Sequence, residues 1–83
     1  MGHGASKKID AIPTQLVVNV YAWEGLLYEA QRKLGEVLKA ILDGDDSPAM
    51  WTALDNRRKE SIFYSQQYTK AILAIQFSQN RAK

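Results

Sequence analysis

The chain contains no cysteine and only one histidine, and each scarcity excludes a class of function. Without cysteine there is no disulfide framework, no thiolate nucleophile and no zinc knuckle. His3 has no second histidine and no cluster of carboxylates near it in the sequence, so we expect neither a metal site nor a cofactor. The glutamates lack the Glu-x-x-His partners of a di-metal helical bundle. We therefore expect that this protein is not an enzyme.

Long apolar runs and a strong charge of one sign are also missing. The net charge of +2 is too small to imply a nucleic-acid partner by itself. The most apolar window, residues 16–28, is about a dozen residues long, short of the roughly 20 that a membrane-spanning helix needs. No signal peptide with a cleavage site is recognisable, and we expect a cytoplasmic location. What remains, 46% hydrophobic and 24% charged residues, is the composition of a folded domain.

Proline occurs only twice, and one of the two lies in the strongest break of the sequence. Gly44 suits the left-handed residue that closes a helix, Ser47 suits an N-cap and Pro48 suits the first helical position. Long stretches of helical pattern lie on both sides of this segment. We predict an all-α, antiparallel helical hairpin. Helix 1 starts at Pro13 or Thr14, as first-turn proline or N-cap respectively.

The predicted hairpin occupies residues 13–80 as one domain. Within it we expect helix 1 at about 14–43, the turn at 43–48 and helix 2 at about 48–79. Residues 1–12 are expected to be a flexible tail, and 81–83 a short C-terminal tail. Residues 1–6 fit an expression scar, but Met-Gly-x-x-x-Ser also fits an N-myristoylation signal on Gly2, which would make the protein peripheral to a membrane.

Apolar residues of helix 1 recur at alternating spacings of four and three. This is the spacing of the contact stripe in a left-handed helix pair, and we call the stripe the seam. The seam residues are Leu16, Val20, Trp23, Leu27, Ala30, Leu34, Val37 and Ile41.

Folding the chain back about residue 46 predicts which residues of the two helices face each other. Ala30 then lies opposite Ile62, and Trp23 lies opposite Tyr68 or Thr69. Large side chains meet small ones, as interdigitated packing requires. The agreement supports the hairpin independently of the turn.

The end of the hairpin away from the turn is apolar well beyond the seam, so it should be covered by something else. A second hairpin could complete a four-helix bundle as a homodimer, or another protein could supply a helix. Gly25 is costly inside a helix, and it is either tolerated or the place where another backbone approaches closely. The turn end should be solvated. We expect the partner-binding residues to be Tyr21, Trp23, Leu27, Tyr68, Ile72, Ile75 and Phe77.

A basic run in helix 2 gives the rival hypothesis, a dimeric RNA- or DNA-binding bundle. Carboxylates precede and follow the run, which favours a solvated, salt-bridged face. In helix 1, Glu29 with Lys33 and Arg32 with Glu36 have the i,i+4 spacing of ion pairs. The candidate nucleic-acid residues are Arg32, Lys33, Arg57, Arg58 and Lys59.

Several stretches give the chain a family resemblance. Asp46-Ser-Pro-Ala-Met-Trp51, then Leu54 and Tyr64, and the C-terminal Ile75-Gln-Phe-Ser-Gln-Asn80, fall at comparable places in small helical hairpins of bacterial type III secretion. The chain resembles both the needle subunits and the co-chaperones that hold them. The run after Tyr64 departs from the needle pattern. The resemblance implies a helical hairpin that acts in protein secretion as a chaperone or an assembly subunit.

Overall fold

The computed structural model describes residues 12–81, which form two α-helices and no β-strand. Helix α1 is Thr14–Leu42 and helix α2 is Pro48–Arg81. The two helices pack against each other as a hairpin, and the molecule measures 63 × 19 × 15 Å. The predicted all-α hairpin is therefore confirmed. The tail at 1–11, with Gly2 and its candidate acylation, and residues 82–83 lie outside the described residues.

Helix α1 begins one residue after its proline. Pro13 has extended backbone angles (φ −60°, ψ 134°) and occupies the N-cap position without a side-chain cap. Its carbonyl accepts the amides of Leu16 at 3.0 Å and Val17 at 3.4 Å. Thr14 is thus the first helical residue and not the N-cap, because the extended proline already supplies the first carbonyl acceptor of the helix.

The turn is a Schellman motif built around Gly44. The amide of Gly44 donates to the carbonyl of Ile41 and the amide of Asp45 donates to that of Ala40, both at 3.0 Å. Gly44 has a φ of +117°, a conformation that residues with a Cβ rarely adopt. These bonds satisfy carbonyls that the end of α1 would otherwise leave without partners, so α1 ends at Leu42.

Helix α2 begins where the sequence predicted and continues further. Pro48 is its first residue, and the carbonyl of Ser47 accepts the amides of Met50 at 3.0 Å and Trp51 at 3.2 Å. The helix extends to Arg81, beyond the expected end at Gln79. No glycine or proline occurs after position 48, so nothing in the local sequence stops it earlier.

The seam of α1 lies where the four-three spacing places it. All eight of its residues are partly or fully shielded from solvent. Ala30, 3% exposed, and Ile41, 8% exposed, are the only buried residues among residues 12–80. The hairpin is consequently a thin two-helix layer with little interior of its own.

The residue of α2 that packs near Ala30 is one position away from the predicted Ile62. Ile62 is 46% exposed, whereas Ser61 beside it is half-buried, so Ser61 and not Ile62 points into the seam near the level of Ala30. Two small residues at this level permit close approach of the helices, whereas isoleucine there would hold them apart. The half-buried row in α2 has the same four-three spacing as the row in α1. It comprises Met50, Leu54, Arg57, Ser61, Tyr64, Tyr68, Ala71, Ile75 and Ser78.

Candidate protein-interaction surfaces

The hairpin has two broad faces, one on each side of the plane that contains both helix axes. In antiparallel helices, the positions one residue after the seam point to the same side of this plane, and those one residue before it point to the other. We call the first surface the tyrosine face. Its large exposed apolar residues are Tyr21, Tyr28, Leu38, Leu42, Trp51 and Ile62.

The opposite surface, which we call the phenylalanine face, is less apolar and more charged. Its large exposed apolar residues are Leu26, Phe63 and Phe77. Glu29, Lys33, Glu36, Glu60 and Lys70 occupy other positions on this face. The tyrosine face therefore suits an apolar partner surface better than the phenylalanine face does.

The predicted partner-binding residues do not form one surface. Trp23, Leu27, Tyr68 and Ile75 belong to the seams and are half-buried between the two helices. They hold the hairpin itself together. Three others lie outside the seams: Tyr21, exposed, and Ile72, half-buried, on the tyrosine face, and Phe77, exposed, on the phenylalanine face.

Trp23 contacts an aromatic pair that lies nearer the turn than the predicted Tyr68 or Thr69. Its ring centroid is 6.3 Å from that of Phe63, edge to face, and 6.1 Å from that of Tyr64. Phe63 and Tyr64 also meet at 5.4 Å in a T-shaped arrangement. Edge-to-face packing among three rings stabilises this position of the indole. Tyr64 is thereby engaged in helix packing.

Tyr68 contacts Glu24 instead of the predicted Trp23, and the carboxylate provides an acceptor for its hydroxyl. The hydroxyl donates to the Oε2 atom of Glu24 in α1 at 3.2 Å. The negative charge of Glu24 raises the pKa of Tyr68 above its ordinary value, and desolvation and the hydrogen bond act in the same direction. Sequence reasoning placed Tyr68 near this level but did not identify the carboxylate.

The turn end is exposed to solvent, as predicted, since residues 42–49 are all exposed, but apolar side chains there are exposed as well. Leu42 is 77% exposed, and Leu38 and Trp51 stand exposed on the same tyrosine face. Leu38 and Leu42 are one helical turn apart, a spacing visible in the sequence, but the acidic residues of the turn dominated the prediction. The tyrosine face thus has an apolar cluster at each end of the hairpin.

A groove of about 560 Å³ lies beside α1 near the open end of the hairpin. Tyr21, Tyr28 and Tyr68 line it together with Glu24, Gly25, Leu27 and Gln31. A Cβ atom built on Gly25 would meet no atom of the described chain within 4 Å. Packing within the hairpin therefore does not explain the glycine.

The candidate nucleic-acid residues are largely ion-paired along their own helices. Arg58 and Lys59 both bind Asp55, at 2.8 and 2.9 Å, and Arg57 binds Glu60 at 2.9 Å. Hydrogen bonds from Lys59 and Arg58 lower the pKa of Asp55. The run therefore carries its own counter-ions.

Of the two ion pairs predicted in α1, Arg32 with Glu36 forms and Glu29 with Lys33 does not. Arg32 bonds to both Glu29, at 3.0 Å, and Glu36. The expected pair of Glu29 with Lys33 does not form, because the guanidinium of Arg32 reaches both glutamates and already engages Glu29. The hydrogen bond from Arg32 lowers the pKa of Glu29. Within residues 12–81, Lys33 is the one candidate nucleic-acid residue without an ion pair.

Other kinds of site find little support in the part of the chain that the structure describes. Among residues 12–81 no three His, Cys, Asp or Glu side chains cluster as metal ligands. Neither helix has a stretch both long and apolar enough to cross a membrane. Comparisons of the chain with protein-family models, with curated proteins and with solved structures found no match. The resemblance to type III secretion hairpins therefore stays a prediction.

Proposed function

We propose that this protein is a non-catalytic helical interaction module, which binds itself or a helical partner through the faces beside its seam. The single observation that carries the proposal is the imbalance between buried and exposed apolar residues. Only Ala30 and Ile41 are buried within residues 12–80, whereas eleven large hydrophobic side chains are exposed. Exposed apolar surface on this scale is typical of a protein-binding site.

The energetics favour covering these side chains. Full burial of a large apolar side chain is worth about 1.5–3 kcal/mol relative to leaving it exposed. A two-helix layer cannot provide that burial, because each helix covers only one stripe of the other. Docking of further helices would provide it, in the manner of a four-helix bundle.

The role we propose is that of an adaptor, co-chaperone or assembly subunit. The resemblance to type III secretion hairpins supports such a role in bacterial protein secretion. Binding to nucleic acid is a weaker alternative, because Arg32, Arg57, Arg58 and Lys59 are ion-paired with carboxylates. Attachment to a membrane would depend on Gly2, outside the described residues.

The test is association measured by light scattering, on the natively produced protein and on a double variant. Tyr21→Asp with Phe77→Asp places a charge on both faces at sites that are 67% and 66% exposed, so the hairpin should stay folded. The matched control is Gln66→Asp, at an exposed polar site of α2. We expect the wild-type protein to associate with itself or retain another protein, the control to do the same, and the double variant to lose at least tenfold in affinity.

Salt separates the interaction module from the nucleic-acid alternative. Apolar association should hold or strengthen in added sulfate, whereas binding of a labelled DNA or RNA duplex through phosphates should weaken steeply between 50 and 200 mM salt. A folded wild-type monomer that retains no protein at about 100 μM would contradict the proposed function. Tight, salt-sensitive duplex binding would favour the alternative.

A further inference from the structure

Removing water from the tyrosine face should cost less free energy than removing it from the phenylalanine face. Its charged residues are Glu24, Asp55 and Arg58, and each already has a partner in the hairpin. Asp55 and Arg58 pair with each other at 2.8 Å, and Glu24 accepts from Tyr68 at 3.2 Å. Depletion of free charge is the mark of the core of an interface.

The exposed apolar area of the tyrosine face is close to the area that each partner buries in a standard protein interface. Its six large apolar residues are between 44% and 77% exposed. With ordinary side-chain areas this amounts to roughly 600–700 Å² per copy, against about 800 Å² per partner in a standard interface. A single additional helix would cover only part of it, because the six residues are shared between α1 and α2.

The order of residues along the face is self-complementary. A two-fold axis across the hairpin at the level of Ala30 and Ser61 reverses the direction of each helix. In α1 it brings Tyr21 of one copy level with Leu38 of the other, and Val17 level with Leu42. It also brings Glu24 level with Gly35, where the absence of a side chain leaves room. Each apolar cluster then covers the opposite end of the other copy.

The same axis gives a consistent result in α2. It brings Trp51 of one copy level with Ile72 of the other, and places Ile62 beside its own counterpart next to the axis. A two-fold interface requires that a surface complement itself in this way. The residue pairs in α1 and those in α2 are thus related by the same two-fold axis.

We infer that the tyrosine face binds a second copy of this chain, antiparallel and with the two turns at opposite ends, forming a four-helix bundle. This inference rests on the proposed function and specifies its partner. The arrangement leaves the phenylalanine face free on both sides of the dimer.

Charge selects the opposite-end arrangement over a dimer with both turns together. The turn carries Asp43, Asp45 and Asp46, so turns at one end would bring six aspartates together. With turns at opposite ends, the two sets of aspartates lie at opposite ends of the dimer, and the repulsion between them is avoided.

Matched single variants identify the face. Tyr21→Asp on the tyrosine face and Phe77→Asp on the phenylalanine face place the same charge at sites of nearly equal exposure, 67% and 66%. In sedimentation equilibrium the wild-type protein should have twice its 9.4 kDa mass. We expect Tyr21→Asp to raise the dimer dissociation constant at least tenfold, and Phe77→Asp to leave it within about twofold. Circular dichroism verifies that both variants remain helical.

Single cysteines identify the register, since the natural chain contains none. Ile62→Cys should give a disulfide-linked dimer on mild oxidation, because the inferred axis places the two copies of residue 62 side by side. Phe63→Cys is the matched control, with 50% exposure against 46% but on the other face, and should not cross-link. A mixture of Tyr21→Cys and Leu38→Cys chains should give the mixed disulfide.

Each other outcome has a definite meaning. A dimer that Phe77→Asp dissociates and Tyr21→Asp does not would overturn the inference and leave the proposed function intact. So would a folded monomer that retains a different protein. Cross-linking of Tyr21→Cys chains to Ile72→Cys chains, without cross-linking at position 62, would show both turns at one end and overturn the register. A folded monomer that retains nothing would overturn both the inference and the proposed function.

Discussion

The hydroxyl of Tyr68 in α2 lies 3.2 Å from the Oε2 atom of Glu24 in α1. Among the side chains of residues 12–80 this is the one hydrogen bond that joins the two helices; the others connect residues three or four apart in one helix. Apolar packing brings the helices together, but it tolerates sliding along the axis. A directional bond at one level helps to fix the register.

Replacing Tyr68 by phenylalanine should weaken the hairpin by removing this bond while keeping the ring. We expect the urea midpoint of unfolding to fall, because the bond is lost and Glu24 loses its donor. Tyr64→Phe is the control, since Tyr64 occupies the same seam and its ring contacts Trp23. Equal midpoints for the two variants, measured by circular dichroism, would show that the hydroxyl of Tyr68 contributes nothing.

The same pair predicts a dependence of stability on alkaline pH. The pKa of Tyr68 is raised in the folded state, first by the negative charge of Glu24 and then by desolvation. The folded state therefore favours the protonated form of the Tyr68 hydroxyl. Its contribution to stability is fully present below the ordinary tyrosine pKa of about 10 and is lost as the pH rises through the folded pKa.

Absorbance at 295 nm measures this ionisation directly. The chain has four tyrosines, and the difference between the titrations of the wild-type protein and Tyr68→Phe isolates one of them. We expect Tyr68 to ionise at higher pH than a free tyrosine, and Glu24→Gln to move the pKa down. An unchanged titration in Glu24→Gln would remove the carboxylate as the cause.

The sequence predicted α1 better than α2 for a reason visible in the two seams. Every seam position of α1 is apolar, so hydrophobic spacing alone identifies it. The seam of α2 includes Arg57, Ser61 and Ser78, whereas Ile62 and Phe63 lie outside it. Folding the chain back about residue 46 led to Ile62, and no apolar spacing in α2 was available to move the prediction by one position to Ser61. A small side chain near Ala30 lets the two helices approach each other. This effect depends on side-chain size, which a pattern of hydrophobic residues does not reveal.

The surfaces were only partly predictable. The excess of apolar residues at the open end was visible in the sequence, and so was Tyr21. Assigning Trp23 and Leu27 to the seam and Phe77 to the opposite face required the packing of the helices. The exposure of Leu42 on the tyrosine face also depended on packing. The composition shows that the turn is acidic, but it does not show which side of the hairpin each of its side chains occupies.

Two glycines should respond oppositely to alanine. Gly44 has a φ of +117°, so Gly44→Ala should destabilise the hairpin by about 1–2 kcal/mol. Gly25 is helical and a Cβ there would meet nothing within 4 Å, so Gly25→Ala should stabilise by about 0.5–1 kcal/mol. Urea unfolding measures both. Destabilisation by Gly25→Ala would indicate an atom of another molecule at this position.

The most buried position of the hairpin should be the least tolerant point of the fold. Ala30 is 3% exposed in the seam of α1, so Ala30→Leu forces three additional carbon atoms between the helices. We expect a loss of about 1–3 kcal/mol in unfolding free energy, the usual cost of overpacking. The control is Ala22→Leu, because Ala22 is exposed in the same helix and should change stability by no more than about 0.5 kcal/mol. If Ala30→Leu were as stable as Ala22→Leu in urea, Ala30 would not be tightly packed between the two helices.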